Sequence, residues 1–329
     1  MAVRDLIIVG AGPSGLSAAI AARQRGLDYQ IVEQGALVNS IYHFPPQMVF
    51  FTTPELLEIG GLPFVSPYDK PTRVEALRYY RRVVETFDLQ LTFDEKVVSI
   101  EREAEGEFAV ETGSSKGVRR VRHARHLVLA IGYYDHPNRL NVPGEDLPHV
   151  HHYYSEAHPF YRQRVVVVGG GNSAAEWSLE LYRAGAHVTM VHRRPELKHT
   201  IKYWVRPDIE NRIKEGSVAA RFNTCLTEIR PTTVVVRGPD GVEELPAEAV
   251  FLLTGYRADV DLMMRAGVVL TERLGPVHHP ETFETNVPGL FVAGGAIAGE
   301  DTGTIFIENG RFHGEKIVEV IARRMESQV

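Results

Sequence analysis

The chain of 329 residues is 44% hydrophobic and 24% charged, enough for two domains of ordinary size with sizeable cores. A formal net charge of −6 argues against a nucleic-acid or anionic-membrane binder, and no apolar run is long enough to span a bilayer. Cys225 is the only cysteine, which excludes an internal disulfide and a CxxC redox cycle within the chain.

Residues 3–33 read as strand, helix, strand. The apolar run Leu6-Ile7-Ile8-Val9 leads directly into Gly10-x-Gly12-x-x-Gly15, with Pro13 and Ser14 between the last two glycines. Glycines there permit a tight turn and close approach of a pyrophosphate, and the helix that follows presents its positive N-terminus to the anion. The second strand, Tyr29 to Val32, ends in Glu33, 23 positions after Gly10. A carboxylate at that point accepts hydrogen bonds from ribose hydroxyls and repels a ribose phosphate. The first site is therefore expected to hold an adenine dinucleotide with a free ribose, FAD or NAD.

Helical spacing predicts a helix over 73–87, and strands follow over 91–93, 97–100, 108–110 and 127–131. The last strand ends at Gly132, where backbone must pass close to a cofactor. Turn formers over 135–138 read as a hinge. His149, His151, His152 and His158 come without a cysteine or carboxylate cluster, so no metal site is expected. Aromatic and histidine residues over 153–161 suit either a cover for a cofactor or packing at a domain entrance.

A second fingerprint, Gly169-x-Gly171-x-x-Ala174, follows Val165 to Val168, with Asn172 and Ser173 opening the helix. Counting 23 positions from Gly169 reaches His192 in place of an acid, followed by Arg193, Arg194 and, a turn later, Lys198. Guanidinium and ammonium donors suit a phosphate dianion, so this site is expected to hold NADP(H). Glu176, one turn into the helix, is placed to orient the nicotinamide ribose. Tyr203 and Trp204 are expected in core or interface packing. Cys225 is expected in a strand over 221–229 as a small buried residue. The strand over 250–254 ends at Gly255, matching the strand before Gly132. A third glycine cluster, Gly294-Gly295 and Gly299, follows the strand 290–293, and a final helix is predicted over 306–324, with Glu308 and Asn309 as solvated helix residues.

These features resemble the thioredoxin-reductase-like branch of two-dinucleotide flavoproteins. The resemblance implies a three-layer α/β fold of two Rossmann-like domains, one inserted in the other. It implies FAD in a discontinuous domain of 1–132 and 257–329, and NADPH in the inserted 133–256. Gln34, Val97, Gly294 and Ile305 complete the candidate set for the first site, and Gly255 the second. Three segments narrow the resemblance: 39–42 with 50–60, the run Lys202-Tyr203-Trp204-Val205-Arg206-Pro207 continuing to Gly216, and 305–314. With these the chain resembles the bacillithiol-disulfide reductase family, whose implied task is to return bacillithiol disulfide to the free thiol. That family carries a cysteine in the first glycine loop, where this chain has Ser14. Ser14 is thus the candidate catalytic position, although a serine forms no mixed disulfide and no general base lies beside it in sequence. Gly295 stands where thioredoxin reductases commonly carry an aspartate that holds the flavin's ribitol.

The expected acceptor is a low-molecular-weight disulfide or a small redox protein. A ferredoxin- or flavodoxin-NADP reductase on the same fold is the second reading, disfavoured because no aromatic residue follows Phe312. A non-enzymatic redox or NADPH sensor is the third. A cytoplasmic location, no leader, and a homo-oligomer of two or more subunits are expected.

Overall fold

Runs of four apolar residues, too short for a helix and flanked by glycine, form strands buried on both faces. The computed structural model describes residues 3–103 and 106–327. It divides into two compact units, 1–136 with 256–329, and 137–255. The crossings fall at 136/137 and 255/256, four residues later and one earlier than the spacing predicts.

The first unit is built on a seven-stranded sheet. Val3–Val9 lies at its centre, parallel to Tyr29–Val32 on one side and to the end of Arg119–Leu129 on the other. Leu290–Val292 joins parallel to Leu127, Val128 and Leu129. Lys96–Arg102 and Phe108–Gly113 extend the sheet as antiparallel strands. Val9 pairs with both Val32 and Leu129, so the strands end level, and Gly10, Glu33 and Ala130 emerge together at the carboxyl edge. Alternation divides the apolar run between two cores. Leu6 and Ile8 pack on the side of the first helix, Pro13–Gln24, and Ile7 and Val9 on the opposite side.

The second unit repeats the plan. Arg164–Val168 is flanked in parallel by His187–Val191 and Ala249–Leu252, and the sheet is completed by Ala219–Arg221 and Val150–His151. Val165 and Val167 enter one core, Val166 and Val168 the other. The helix Asn172–Arg183 follows the central strand. A separate antiparallel sheet comprises Cys225–Ile229, Thr233–Gly238 and Gly241–Pro246.

Three expectations are corrected. The strand over 221–229 is interrupted: Ala219–Arg221 ends the parallel sheet, Asn223 turns through φ +51°, and Cys225 opens the antiparallel sheet as an exposed residue. The strand before Gly132 starts at Arg119, because its polar first half pairs with Phe108–Gly113. The helix over 306–324 is two helices, Ile307–Gly310 and His313–Glu326. The break lets Arg311 donate to the carbonyls of Glu55 and Glu58 at 2.7 and 2.6 Å. It also seats Gly314 directly on the first helix, where a Cβ would lie 2.7 Å from Ser14 O and 2.8 Å from Ala18 Cα.

Gly314→Ala should therefore force these helices apart and lower stability by about 1–3 kcal/mol, the range for overpacking a close contact. Urea unfolding measures this directly, and an unchanged midpoint would contradict the packing described.

Candidate active site

In the first unit, the glycine loop is shaped by backbone meeting backbone. The Gly10 amide donates to Val32 O at 2.8 Å, φ is +105°, and a Cβ would run into Ala130 O. A Cβ on Gly15 would run into Gly10 O. Gly12, by contrast, faces open space. It caps the first helix without a side-chain hydrogen bond, Pro13 opens the first turn, and no acidic residue lies there. An open glycine before an uncapped helix start is a cradle that a pyrophosphate fits.

Glu33 is 5% exposed, and both of its oxygens are engaged. One accepts from the Ala11 amide at 2.7 Å, the other from the Gly35 amide at 2.8 Å. Burial pushes this carboxyl above its ordinary range, and the two amides pull against that rise. Glu33 thus ties the glycine loop to the turn after the second strand, a structural duty the sequence pattern does not reveal. Gln34 donates to Asp135 at 2.8 Å. Gly132 has φ +60°. Val97 is buried in the core that contains Ile7, Val9 and Val32.

Ser14, Gly294, Ile305 and Gly310 come together. Ser14 Oγ donates to Gly310 O at 3.0 Å. Gly294 has φ +63°, and a Cβ there would lie 3.0 Å from Ser14 Cβ. A Cβ on Gly310 would lie 3.3 Å from Ser14 Oγ and 3.5 Å from Ile305 Cγ2. The Ser14 hydroxyl therefore fastens the first helix to the C-terminal segment. His313, which the sequence reading missed, accepts from the Gly294 amide through Nδ1 at 3.1 Å and stacks on Phe283 with ring centres 4.3 Å apart. Glu308 is half-buried and its carboxyl is pushed up by burial, which corrects the expectation of a solvated residue. Asn309 accepts from the Phe306 amide at 2.8 Å and shapes the entry to the short helix.

In the second unit, a Cβ on Gly169 would lie 2.5 Å from Leu253 O and 3.0 Å from Ala174 Cβ, so the small third residue of the fingerprint is required. Gly170 has the His192 ring against it. Gly171 caps the helix without a side-chain bond or an acid in the first turn; its nearest neighbour is Lys198 Cδ, at 3.8 Å from a built Cβ. The Lys198 amide donates to Gly170 O at 2.9 Å, which brings the cationic segment over the loop. Arg193, Arg194 and Lys198 are exposed, while His192 is buried. Burial, then Lys198, Arg193 and Arg194, push the His192 imidazole below its ordinary value and keep it neutral. Ser173 is half-buried at the helix start. Asn172 spans the site, donating to Thr200 O at 3.2 Å and accepting from the Lys202 amide at 2.8 Å. Glu176 pairs with Lys202 at 2.5 Å, a partner outside the glycine signature. Gly255 has φ +95° and accepts from the Asn138 amide at 2.9 Å.

Within the stretch 153–161, Tyr154 stacks on Trp177 at 4.2 Å and Phe160 meets Phe251 edge-on at 5.1 Å, so these two rings pack within their unit. Tyr203 is 83% exposed and Trp204 44%, which removes the core half of the expectation of core or interface packing.

His313 yields a pH prediction. Burial, with Lys316 and His278 adding repulsion, pushes its imidazole down from 6.5 to about 4. The unfolded chain then takes up the proton first, so stability is complete above the unfolded value and falls as pH drops from 6.5 towards 4. His313→Asn keeps an acceptor for Gly294 and cannot titrate. It should flatten the fall of the melting temperature across that window, and an unchanged acid limb would contradict the assignment.

The family model described as pyridine nucleotide-disulphide oxidoreductase matches residues 7–294. Bacilliredoxin reductase Bdr of Bacillus subtilis (strain 168) is 41% identical over 320 residues, covering 97% of this chain and 97% of its own. The solved structure of bacillithiol disulfide reductase Bdr (YpdA) from Bacillus cereus matches with a TM-score of 0.96 at 38% identity, over 98% of this chain and 100% of that one. Lactococcus lactis thioredoxin reductase, 20% identical, shares the fold at a TM-score of 0.75 over 99% and 100% of the two chains. No helix among the described residues is long and apolar enough to cross a membrane. The chain belongs to the pyridine nucleotide-disulphide oxidoreductase family and is an oxidoreductase with FAD and NADPH as its cofactors.

Proposed function

We propose that this enzyme takes electrons from NADPH, bound by the 137–255 unit, and delivers them through FAD, bound by the other unit, to a bacillithiol-type disulfide. The observation that carries the donor side is the contrast between the two strand ends. A buried carboxylate, Glu33, stands at one, and two exposed guanidinium groups, Arg193 and Arg194, at the other. The acceptor class rests on the relative named as a bacilliredoxin reductase and the neighbour named as a bacillithiol disulfide reductase, both similar to this chain over nearly its full length.

Bound FAD supplies the two-electron relay that a chain with one exposed cysteine has no thiol pair to provide. The protein's part is positioning. Gly10, Gly12 and Gly15 let the first pyrophosphate approach bare backbone, and the helix start from Pro13 faces its charge. Glu33 presents its carboxylate to the ribose hydroxyls. Gly132, Gly294 and the Ile305 segment frame the flavin end. Gly169, Gly171, Asn172, Ser173 and Ala174 repeat the cradle for NADPH, and Arg193, Arg194 and Lys198 take the ribose phosphate. Ser14 holds the loop to the C-terminal segment through Gly310 and takes no covalent part. A cytoplasmic setting belongs to the same reading, since it supplies NADPH and keeps lone thiols reduced.

Replacing Arg193 and Arg194 together by alanine should raise the Michaelis constant for NADPH roughly 100-fold, the equivalent of losing charge-assisted bonds worth about 3 kcal/mol. The constant for NADH should hardly move. Equal changes for both coenzymes would remove the phosphate-reading role. Under anaerobic conditions bacillithiol disulfide should speed NADPH consumption, and Ser14→Cys, which replaces the hydroxyl tie to Gly310 by a weaker thiol donor, should not speed it further. Acceleration by ferredoxin alone, or a large gain from the new cysteine, would overturn the acceptor reading.

A further inference from the structure

Gly295 is a glycine that its backbone does not require. Its neighbours Gly294 and Gly132 have φ of +63° and +60°, which favour glycine, but Gly295 lies outside the left-handed region. The constraint on it is steric. A Cβ at 295 would lie 2.7 Å from Cδ1 and 2.9 Å from Cε1 of the Tyr133 ring, and 3.6 Å from Gly132 Cα. Ring atoms on a side chain so placed cannot yield as the tip of a flexible chain would.

The ring is tied through its hydroxyl, and the strand that leads to it is joined to the turn at 293. Tyr133 follows the strand Arg119–Leu129, whose end meets the first glycine loop where Ala130 O abuts Gly10. Its hydroxyl donates to Thr302 O at 3.3 Å, in the turn that leads to Ile305. The Ala293 amide donates to Leu129 O at 3.0 Å, so the strand before Tyr133 and the turn after 293 are already joined. Tyr133 therefore spans three segments that frame the flavin end of the first site: the turn at Gly132, the turn Gly294–Ala298, and the turn at Thr302.

We propose that Tyr133 is a flavin-positioning residue in this enzyme, its ring occupying the ground that a side chain at 295 would otherwise take and fixing the turn that frames FAD. This rests on FAD occupying the first unit. Glycine at 295 and an aromatic ring at 133 are then a matched pair, and neither tolerates a change of volume alone.

The test is a double-mutant cycle read by FAD affinity, using flavin fluorescence on titration of the apoprotein. Gly295→Asp and Tyr133→Ala should each weaken FAD binding roughly tenfold or more, the equivalent of an overpacked contact or a lost one. The Gly295→Asp/Tyr133→Ala double variant should bind at least about tenfold more tightly than the product of the two single effects, because removal of the ring makes room for the new side chain. Tyr133→Phe, which keeps the ring, should stay within about threefold of the parent, the loss of one neutral hydrogen bond. Multiplicative effects in the cycle would overturn the proposal, as would parent-like affinity in Gly295→Asp. Thermal melting of each apoprotein reports folding. If Gly295→Asp does not fold, Tyr133→Ala and Tyr133→Phe decide alone, and equal FAD affinity in both would overturn the proposal. A parent protein that binds no FAD would instead sink the assignment of the first site, so the two failures are distinguishable.

Discussion

Bare backbone meets bare backbone at each of the two glycine loops, and the rest of the structure follows from that constraint. Gly10 against Ala130, Gly15 against Gly10, and Gly169 against Leu253 leave no room for a Cβ. Parallel strands ending in register bring these carbonyls to one edge, and the small faces of the following helices let them close. The C-terminal segment obeys the same rule. Gly294, Gly310 and Gly314 fold around Ser14 and the first helix with no side chain between. Ser14 supplies a polar tie in that contact by donating to Gly310 O, which accounts for a hydroxyl there on structural grounds.

Charge is then distributed at two different costs. Glu33 is buried, and it remains compatible with burial because two backbone amides solvate it. Those amides also lock the loop before any ligand arrives. Arg193, Arg194 and Lys198 stay in water, where holding three cations together costs little. His192 beside them is buried and held neutral, so its ring acts as a wall for Gly170 and adds no charge. One strand end thus carries a buried carboxyl group tied to two amides, the other a solvent-exposed cluster of cations, and the proposed sorting of the two nucleotides rests on this contrast.

Much of this is legible in the sequence because it depends on local pattern. Four-residue apolar runs before glycines give the central strands, and the fixed distance from glycine to Glu33 or His192 gives the strand ends. What escapes depends on tertiary partners. The break at Arg311 exists because carbonyls of Glu55 and Glu58, far away in sequence, accept its guanidinium. Cys225 is exposed because Asn223 turns the chain into a second sheet. Tyr203 is exposed although aromatic. The pairing of Glu176 with Lys202 has no sequence signal. The glycine pattern likewise does not tell a glycine needed for positive φ, such as Gly294, from one cleared by a neighbouring ring, such as Gly295. His313 is the clearest omission: a histidine after a glycine is unremarkable until its Nδ1 is seen to receive the Gly294 amide.

The central claim, that the two strand ends sort the two nucleotides, is tested most directly by a crystal structure of the protein with FAD and NADP+ both bound. The account predicts the FAD adenosine ribose within hydrogen-bonding distance of Glu33 and the NADP+ ribose phosphate against Arg193 and Arg194. A ribose phosphate lying away from those guanidinium groups, or the two nucleotides exchanged between the units, would contradict it.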